Sequence, residues 1–266
     1  MKPQPSEINI HVPSHGNEIL EKAIKMVNAN KELLTLWKIN NVNAIERLQM
    51  SDHGIVHFQI VANIALRMTR ILLKNNIELS VTKNYGLSHK YAELIVFLGS
   101  IMHDLGISVH RDGHEEFSLF IANNILRESL TFLSIEERTI VISETLHTIT
   151  SHRRAGRPLT LEAGIVRVAD ALDMSKGRSR IPYEAGIVDI HSVSAAGIES
   201  VEIAEGIKKP IQINILMNNS AGLFQVDDLL KNKLGGSGIE KHVAVKAYIE
   251  GETEKKLMKE YQVGNE

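Results

Sequence analysis

Cysteine is absent from this 266-residue chain. That excludes a disulfide framework, a thiolate nucleophile and any cysteine-type zinc site. A metal here must be held by nitrogen and oxygen. The absence also fits a reducing cytoplasm, the expected location. An excess of charge of one sign is missing too. Thirty Lys and Arg against 32 Asp and Glu leave a formal net charge of −2, so no global basic field announces nucleic acid. The start, Met1-Lys-Pro-Gln-Pro-Ser6, lacks the long apolar core of a secretory signal. The longest apolar stretch, Leu94 to Met102, is far below the roughly 20 residues that span a bilayer. No membrane partner is expected. Convincing repeats and low-complexity tracts are lacking as well. What remains is a chain with 43% apolar residues, long enough to bury a sizeable core unaided.

What the chain does have is histidine, 12 in all, and their positions matter more than their number. After a proline-containing arm to Gly16, Asn17 is placed to cap a helix from Glu18 to Val27. A second helix follows, Lys31 to Ile39, in which the single tryptophan, Trp37, reads as a packing anchor. The stretch from Ser51 reads as a helix to about Lys74. Val61, Ile64, Ala65, Met68 and Leu72 repeat on one face. His57 lies four residues before Val61, and His53 four before that, so both are expected on the inward side.

Asn75 to Ser88 reads as a loop. The next helix, His89 to His103, ends in His103-Asp104-Leu105-Gly106. Unsatisfied carbonyls at that end favour a cation nearby, and Gly106 reads as the helix stop. Gly99 is expected to let another backbone come close. His110 reads as a loop residue. His114 opens the helix Glu115 to Glu128, and Ser134 with Glu137 forms a capping-box pattern for a helix to about Thr150. That helix carries Ile140 and His147, seven residues apart. After the basic loop Ser151 to Pro158, Thr160 starts a helix with Leu161, Ile165, Val168 and Leu172 inward and Asp170 beside them. A further helical piece spans Tyr183 to Ala196.

Beyond Gly197 the pattern changes. Ser200 to Ala204, Ile211 to Ile215 and Val243 to Ile249 read as strands, Phe224 to Lys233 as a helix and Gly235-Gly-Ser-Gly238 as a turn. The expected fold is mainly α: a helical domain over residues 1–197, with its core at about 45–185, and a small α+β domain over 198–266.

The order His57, then His103-Asp104, then Asp170 resembles the signature of the HD superfamily of metal-dependent phosphohydrolases. The likeness is carried by His57-Phe-Gln-Ile-Val61, His103-Asp-Leu-Gly106 and Val168-Ala-Asp-Ala-Leu172. It implies an HD-type helical bundle in which those four residues ligate one divalent metal. A subset of the superfamily has two further histidines between the His-Asp pair and the last Asp, serving a second ion. His114 and His147 match that arrangement, with His53 as a further candidate ligand or pocket donor.

Imidazole and carboxylate together suit Mn, Fe, Co, Ni or Zn better than an all-oxygen set, with Mg not excluded. The resemblance gives Asp104 and His103 a catalytic part. Two basic sets follow the ligand helices: His152, Arg153, Arg154 and Arg157, then Lys176, Arg178 and Arg180. Arginine's planar fork suits phosphate, and Arg154 and Arg178 are the chosen phosphate contacts. The same charges also read as solvated surface or helix caps.

The expected function is hydrolysis of a phosphate ester of a nucleotide or similar small molecule by metal-activated water. The alternatives are a phosphodiesterase on a cyclic nucleotide or short nucleic acid, and a non-catalytic nucleotide-sensing regulatory module. A homodimer is an expectation by analogy alone.

Overall fold

Side-chain amides open the first two helices. In the computed structural model, which describes residues 9–153, 155–174 and 190–249, Asn17 Oδ1 accepts from the N–H groups of Ile19 and Leu20 at 3.2 Å. This starts α1 (Glu18–Ala29). Asn30 Oδ1 accepts from Leu33 N–H at 3.0 Å and starts α2 (Lys31–Asn41). Each such cap contributes about 1 kcal/mol. A π-helical turn, Val42–Arg47, continues α2.

The next helix, α3 (Ile55–Lys74), begins later than its sequence pattern implies. Asp52 Oδ1 accepts from the N–H groups of Gly54 and His57 at 3.1 Å and so defines the start. His53 therefore sits in the preceding loop rather than on a helical turn. The expected loop Asn75 to Ser88 contains a short helix, α4 (Ser80–Tyr85). Its free N–H groups are satisfied from afar: the buried Glu162 carboxylate accepts from Ser80 N–H at 3.2 Å and from Val81 N–H at 2.9 Å.

At the centre lies α5 (His89–Met102), buried without a break from Tyr91 to Met102. Each fully buried Leu, Ile or Phe there contributes about 1.5–3 kcal/mol. Around it pack α3, α7 (Ile135–Ser151) and α8 (Leu161–Leu172). By length and composition α3 and the stretch His89–Ser108 are apolar enough to cross a membrane, and in this fold the second is the core helix of the bundle. Ser134 and Glu137 close the expected capping box. At Gly99 it is the Thr148 side chain of α7, rather than a backbone, that comes close: an added Cβ would lie 2.0 Å from Thr148 Oγ1.

The His-Asp-Leu-Gly turn does not end α5 through a left-handed glycine, because Gly106 is not among the residues of positive φ. The chain runs on as a 3-10 turn, Leu105–Ser108. Gly106 is needed for proximity: an added Cβ would stand 2.0 Å from the carbonyl oxygen of His114, the first residue of α6 (His114–Ser129). Ser118 Oγ then accepts from Gly106 N–H at 2.7 Å and donates to the His103 carbonyl at 2.9 Å. The glycine thus lets α6 lie directly on the turn that carries His103 and Asp104.

Among the described residues the C-terminal part forms a three-stranded sheet in the order β1 (Ile198–Glu205), β2 (Ile211–Met217), β3 (Val243–Ile249). β1 and β2 pair antiparallel, with Ile203 opposite Ile213. β2 and β3 pair parallel, with Ile211 opposite Val243. A parallel pair requires a crossover. Residues 218–242 supply it, through a π-helical segment Gln225–Lys231 and a short helical turn Asn232–Leu234 where the sequence pattern implies one helix. Ile203, Ile211, Ile213 and Ile215 join the same buried apolar cluster as the helices. The architecture is mainly α with a small α+β part, as expected. Of the piece Tyr183 to Ala196, the helix Ile190–Ala196 is seen; its earlier residues lie outside the described ones.

Candidate metal centre

Three separate elements bring their polar ends to one point. His57 comes from the first turn of α3, His103 and Asp104 from the turn after α5, and Asp170 from the last turn of α8. His57 Nε2 lies 3.2 Å from His103 Nε2. Asp170 Oδ1 is 3.5 Å from the first and 3.6 Å from the second. Asp104 Oδ2 is 3.3 Å from His103 Nε2 and 3.8 Å from His57 Nε2. Ligands spaced around an ion at zinc-like bond lengths stand about 3.0–3.4 Å apart. The donor set fits a divalent ion in both chemistry and spacing.

The outer nitrogens make the case stronger. His57 Nδ1 donates to Asp173 Oδ2 at 2.6 Å, and His103 Nδ1 donates to the Ser100 carbonyl at 2.8 Å. Both partners are acceptors only, so each Nδ1 carries a hydrogen and each Nε2 is the nitrogen turned inward, free to ligate once any proton on it is displaced. Two imidazole nitrogens 3.2 Å apart need a cation between them, either a proton held by one ring or a metal ion shared by both. Asp173 lies just past the Asp170 motif, and its carboxylate, three residues along, fixes the His57 ring.

A second group gathers on the other oxygen of Asp104. His114 Nε2 is 3.0 Å and His152 Nε2 3.5 Å from Asp104 Oδ1. Their Nδ1 atoms donate to the carbonyls of Arg111 at 2.9 Å and Ile149 at 2.5 Å. The Asp104 carboxylate therefore lies between two imidazole pairs, one facing each oxygen. His53 stands at the edge: Nδ1 donates to the Ser51 carbonyl at 2.7 Å, and Nε2 is 4.0 Å from Asp104 Oδ2.

His147 is not in this cluster. Its Nε2 accepts from Leu159 N–H at 2.9 Å, so it braces the loop before α8, and burial lowers its pKa toward the neutral acceptor that this bond requires. The fold brings His152 to Asp104 in its place. The buried face of α7 explains the exchange. Val141, Thr145 and Thr148 follow one another at helical spacing, and His152 is the next step along that row. His147 falls to one side of it. Sequence reasoning had grouped His152 with the arginines after α7.

Electrostatics match the geometry. Burial opposes a charge on His103, but Asp104 and Asp170 outweigh it and lift its pKa to about 10. Burial likewise opposes ionised Asp104 and Asp170. His103 and its neighbours still hold Asp104 well below the usual carboxylate range, and Lys233 leads the groups that do so for Asp170. Burial lowers His152. Asp104 and the imidazoles are almost wholly buried. Asp170 and Lys233 retain 11% and 15% side-chain exposure, so solvent meets the cluster from their side.

The anchoring extends through α2. Trp37 Nε1 donates to the Ile101 carbonyl at 3.1 Å, and Asn40 Nδ2 to the Asp104 carbonyl at 2.9 Å. Asn43 Nδ2 donates to the Ile107 carbonyl at 2.7 Å. Trp37 is thus the packing anchor expected of it, and it also fixes the turn. His110 is exposed. Arg111 Nη1 lies 2.8 Å from His114 Nδ1. Arg153 pairs with Glu116 at 3.0 Å on the surface. Arg154, Lys176, Arg178 and Arg180 lie outside the described residues.

Comparison with known proteins gives the family. The HD domain family matches residues 54–175 of the chain. An uncharacterised protein of Methanocaldococcus jannaschii is 46% identical over 224 residues, covering 84% of this chain and 86% of that one. No solved structure matches the chain.

Proposed function

Because the chain belongs to the HD-domain family, a superfamily of metal-dependent phosphohydrolases, we propose that it hydrolyses a phosphate ester of a nucleotide or similar small molecule. The observation that carries this reading is the Asp104 carboxylate, with His57 and His103 facing one oxygen and His114 and His152 facing the other. With that disposition Asp104 would help to hold one or two divalent ions, together with His57, His103 and Asp170 on one side and His114 and His152 on the other. Mn, Fe, Co, Ni and Zn suit such a mixed set. A bound ion would supply an activated water near neutral pH and charge neutralisation for the phosphoryl oxygens.

The protein's own groups do the rest. Asp173 and the carbonyls of Ser100, Arg111 and Ile149 hold the rings in the orientation that turns Nε2 inward. Asn40 and Ser118 fix the backbone on which His103 and Asp104 sit. Basic groups at the rim, Arg111 and Lys233, favour an anion arriving there. Arg154 and Arg178 are proposed to add to them. The near-neutral chain and local basic patches favour a small anion over a long polynucleotide.

The test is release of inorganic phosphate from a panel of nucleotides, cyclic ones included. The full chain is loaded in turn with Mn, Fe, Co, Ni, Zn or Mg. Turnover in at least one metal, abolished by Asp104→Ala with the helical circular-dichroism signal intact, is the expected result. Undiminished hydrolysis by that variant contradicts the proposal. So does tight nucleotide binding that never turns over, which favours a sensing module. Activity that falls linearly with the logarithm of salt concentration favours a nucleic-acid substrate instead.

A further inference from the structure

The parallel pairing of β2 with β3 has a chemical outcome. Its crossover carries Lys233 into the cluster, where Nζ pairs with Asp170 Oδ2 while Oδ1 faces His57 and His103 at 3.5 and 3.6 Å. We propose that Lys233 is a positioning residue of the metal centre, delivered by the sheet unit, which occupies Oδ2 so that Asp170 offers the ion Oδ1 alone. The inference rests on the metal-centre reading above.

Both groups are mostly buried, with 15% and 11% side-chain exposure. This is not a solvated surface pair of negligible effect. The backbone of Lys233 is also clamped. Arg167, 3% exposed and one turn before Asp170 on α8, donates from Nε to the Lys233 carbonyl at 2.8 Å and from Nη2 to the Asn232 carbonyl at 3.2 Å. Its Nη1 donates to the carbonyls of Arg153 at 2.7 Å and Gly156 at 2.6 Å, so the same guanidinium also braces the segment after His152.

One turn earlier, Gly164 makes room for the following loop: an added Cβ would lie 1.9 Å from the Ser237 carbonyl oxygen. The Gly235 to Gly238 segment, read from sequence only as a turn, is thus pressed against α8. Gly164, Arg167 and Asp170 fall at three-residue spacing on one face of α8. They meet in turn the Ser237 backbone, the Lys233 backbone and the Lys233 ammonium.

A carboxylate with two free oxygens can chelate an ion through both. An ammonium fixed on one oxygen removes that choice and offsets part of the negative charge beside the ion. Removing the ammonium should therefore add a protein donor without weakening the hold on the ion.

The test uses the full chain and cobalt alone as probe, comparing wild type, Lys233→Met and Lys233→Arg. Methionine keeps most of the apolar stem and removes the charge. Lys233→Ala replaces it should Lys233→Met fail to fold by circular dichroism. Cobalt per chain and the visible cobalt absorption bands are measured. The expected result is equal cobalt content, a loss of band intensity in Lys233→Met as a donor is added, and the wild-type spectrum in Lys233→Arg. Superimposable spectra at equal cobalt overturn the inference while leaving the metal centre standing. Cobalt lost from folded Lys233→Met also overturns it. Wild-type protein that takes up no cobalt removes the metal-centre reading, and this inference with it.

Discussion

At the scale of residues, each imidazole of the cluster gives one nitrogen to the scaffold and the other to the interior. Each Nδ1 has a scaffold acceptor, the Asp173 carboxylate or a carbonyl of Ser51, Ser100, Arg111 or Ile149, and His114 Nδ1 is also met by Arg111 Nη1 and the Glu115 carboxylate. His147 uses its Nε2 to accept from Leu159 N–H, and its Nδ1 lies 3.3 Å from Ser151 Oγ, so neither nitrogen faces Asp104. Elemental analysis of two variants separates these roles. His152→Ala is expected to retain less metal per chain than wild type, and His147→Ala as much. The reverse order contradicts the placement. His57, His103-Asp104 and Asp170 were legible in the sequence because each lies within a short local pattern. His152 was not, because its role follows from the phase of α7 against the core. A seven-residue match between Ile140 and His147 led to the wrong side of that helix. Asp173 was not legible either, since nothing local shows that a carboxylate three residues past Asp170 faces a ring on α3.

At the scale of elements, the centre depends on how closely α6 approaches the turn after α5. Gly106 sets that distance. In Gly106→Ala the added methyl meets backbone, which cannot rotate away as a side chain would. The expected cost is about 1–3 kcal/mol, lowering the melting temperature by roughly 2–4 °C per kcal/mol in calorimetry. Bound metal should fall too, because His114 begins the displaced helix. An unchanged melting temperature would show that the contact is loose. The long helices were readable from apolar periodicity, the capping box at Ser134 and the Asn17 cap. The short helix α4 was not, because a distant carboxylate on α8, Glu162, satisfies its first N–H groups. Lys233 was invisible for a similar reason. Its place depends on the parallel register of β2 and β3, which no local pattern near residue 233 encodes.

At the scale of the whole molecule, the buried charges make stability depend on pH. His103 has its folded pKa raised to about 10 from an ordinary 6.5. The stabilisation it gives is complete below about pH 6.5 and is lost as pH rises through about 10. Asp104 and Asp170 have folded values well below their ordinary 3.8. Their contribution is present above that value and is lost as pH falls through the folded values. Metal-stripped protein is therefore expected to lose urea resistance between pH 7 and pH 10. Metal-loaded protein should lose less, because binding an ion already displaces the His103 proton. A midpoint that rises with pH in the stripped protein would contradict the charge arrangement.

The central claim is that His57, His103, Asp104 and Asp170 grip one ion among them. Anomalous diffraction from crystals grown with manganese or cobalt reads this directly. The account predicts a peak within about 2.0–2.2 Å of His57 Nε2, His103 Nε2, Asp104 Oδ2 and Asp170 Oδ1. Refined coordinates with no peak among those atoms, or with the peak at residues outside the cluster, would contradict it.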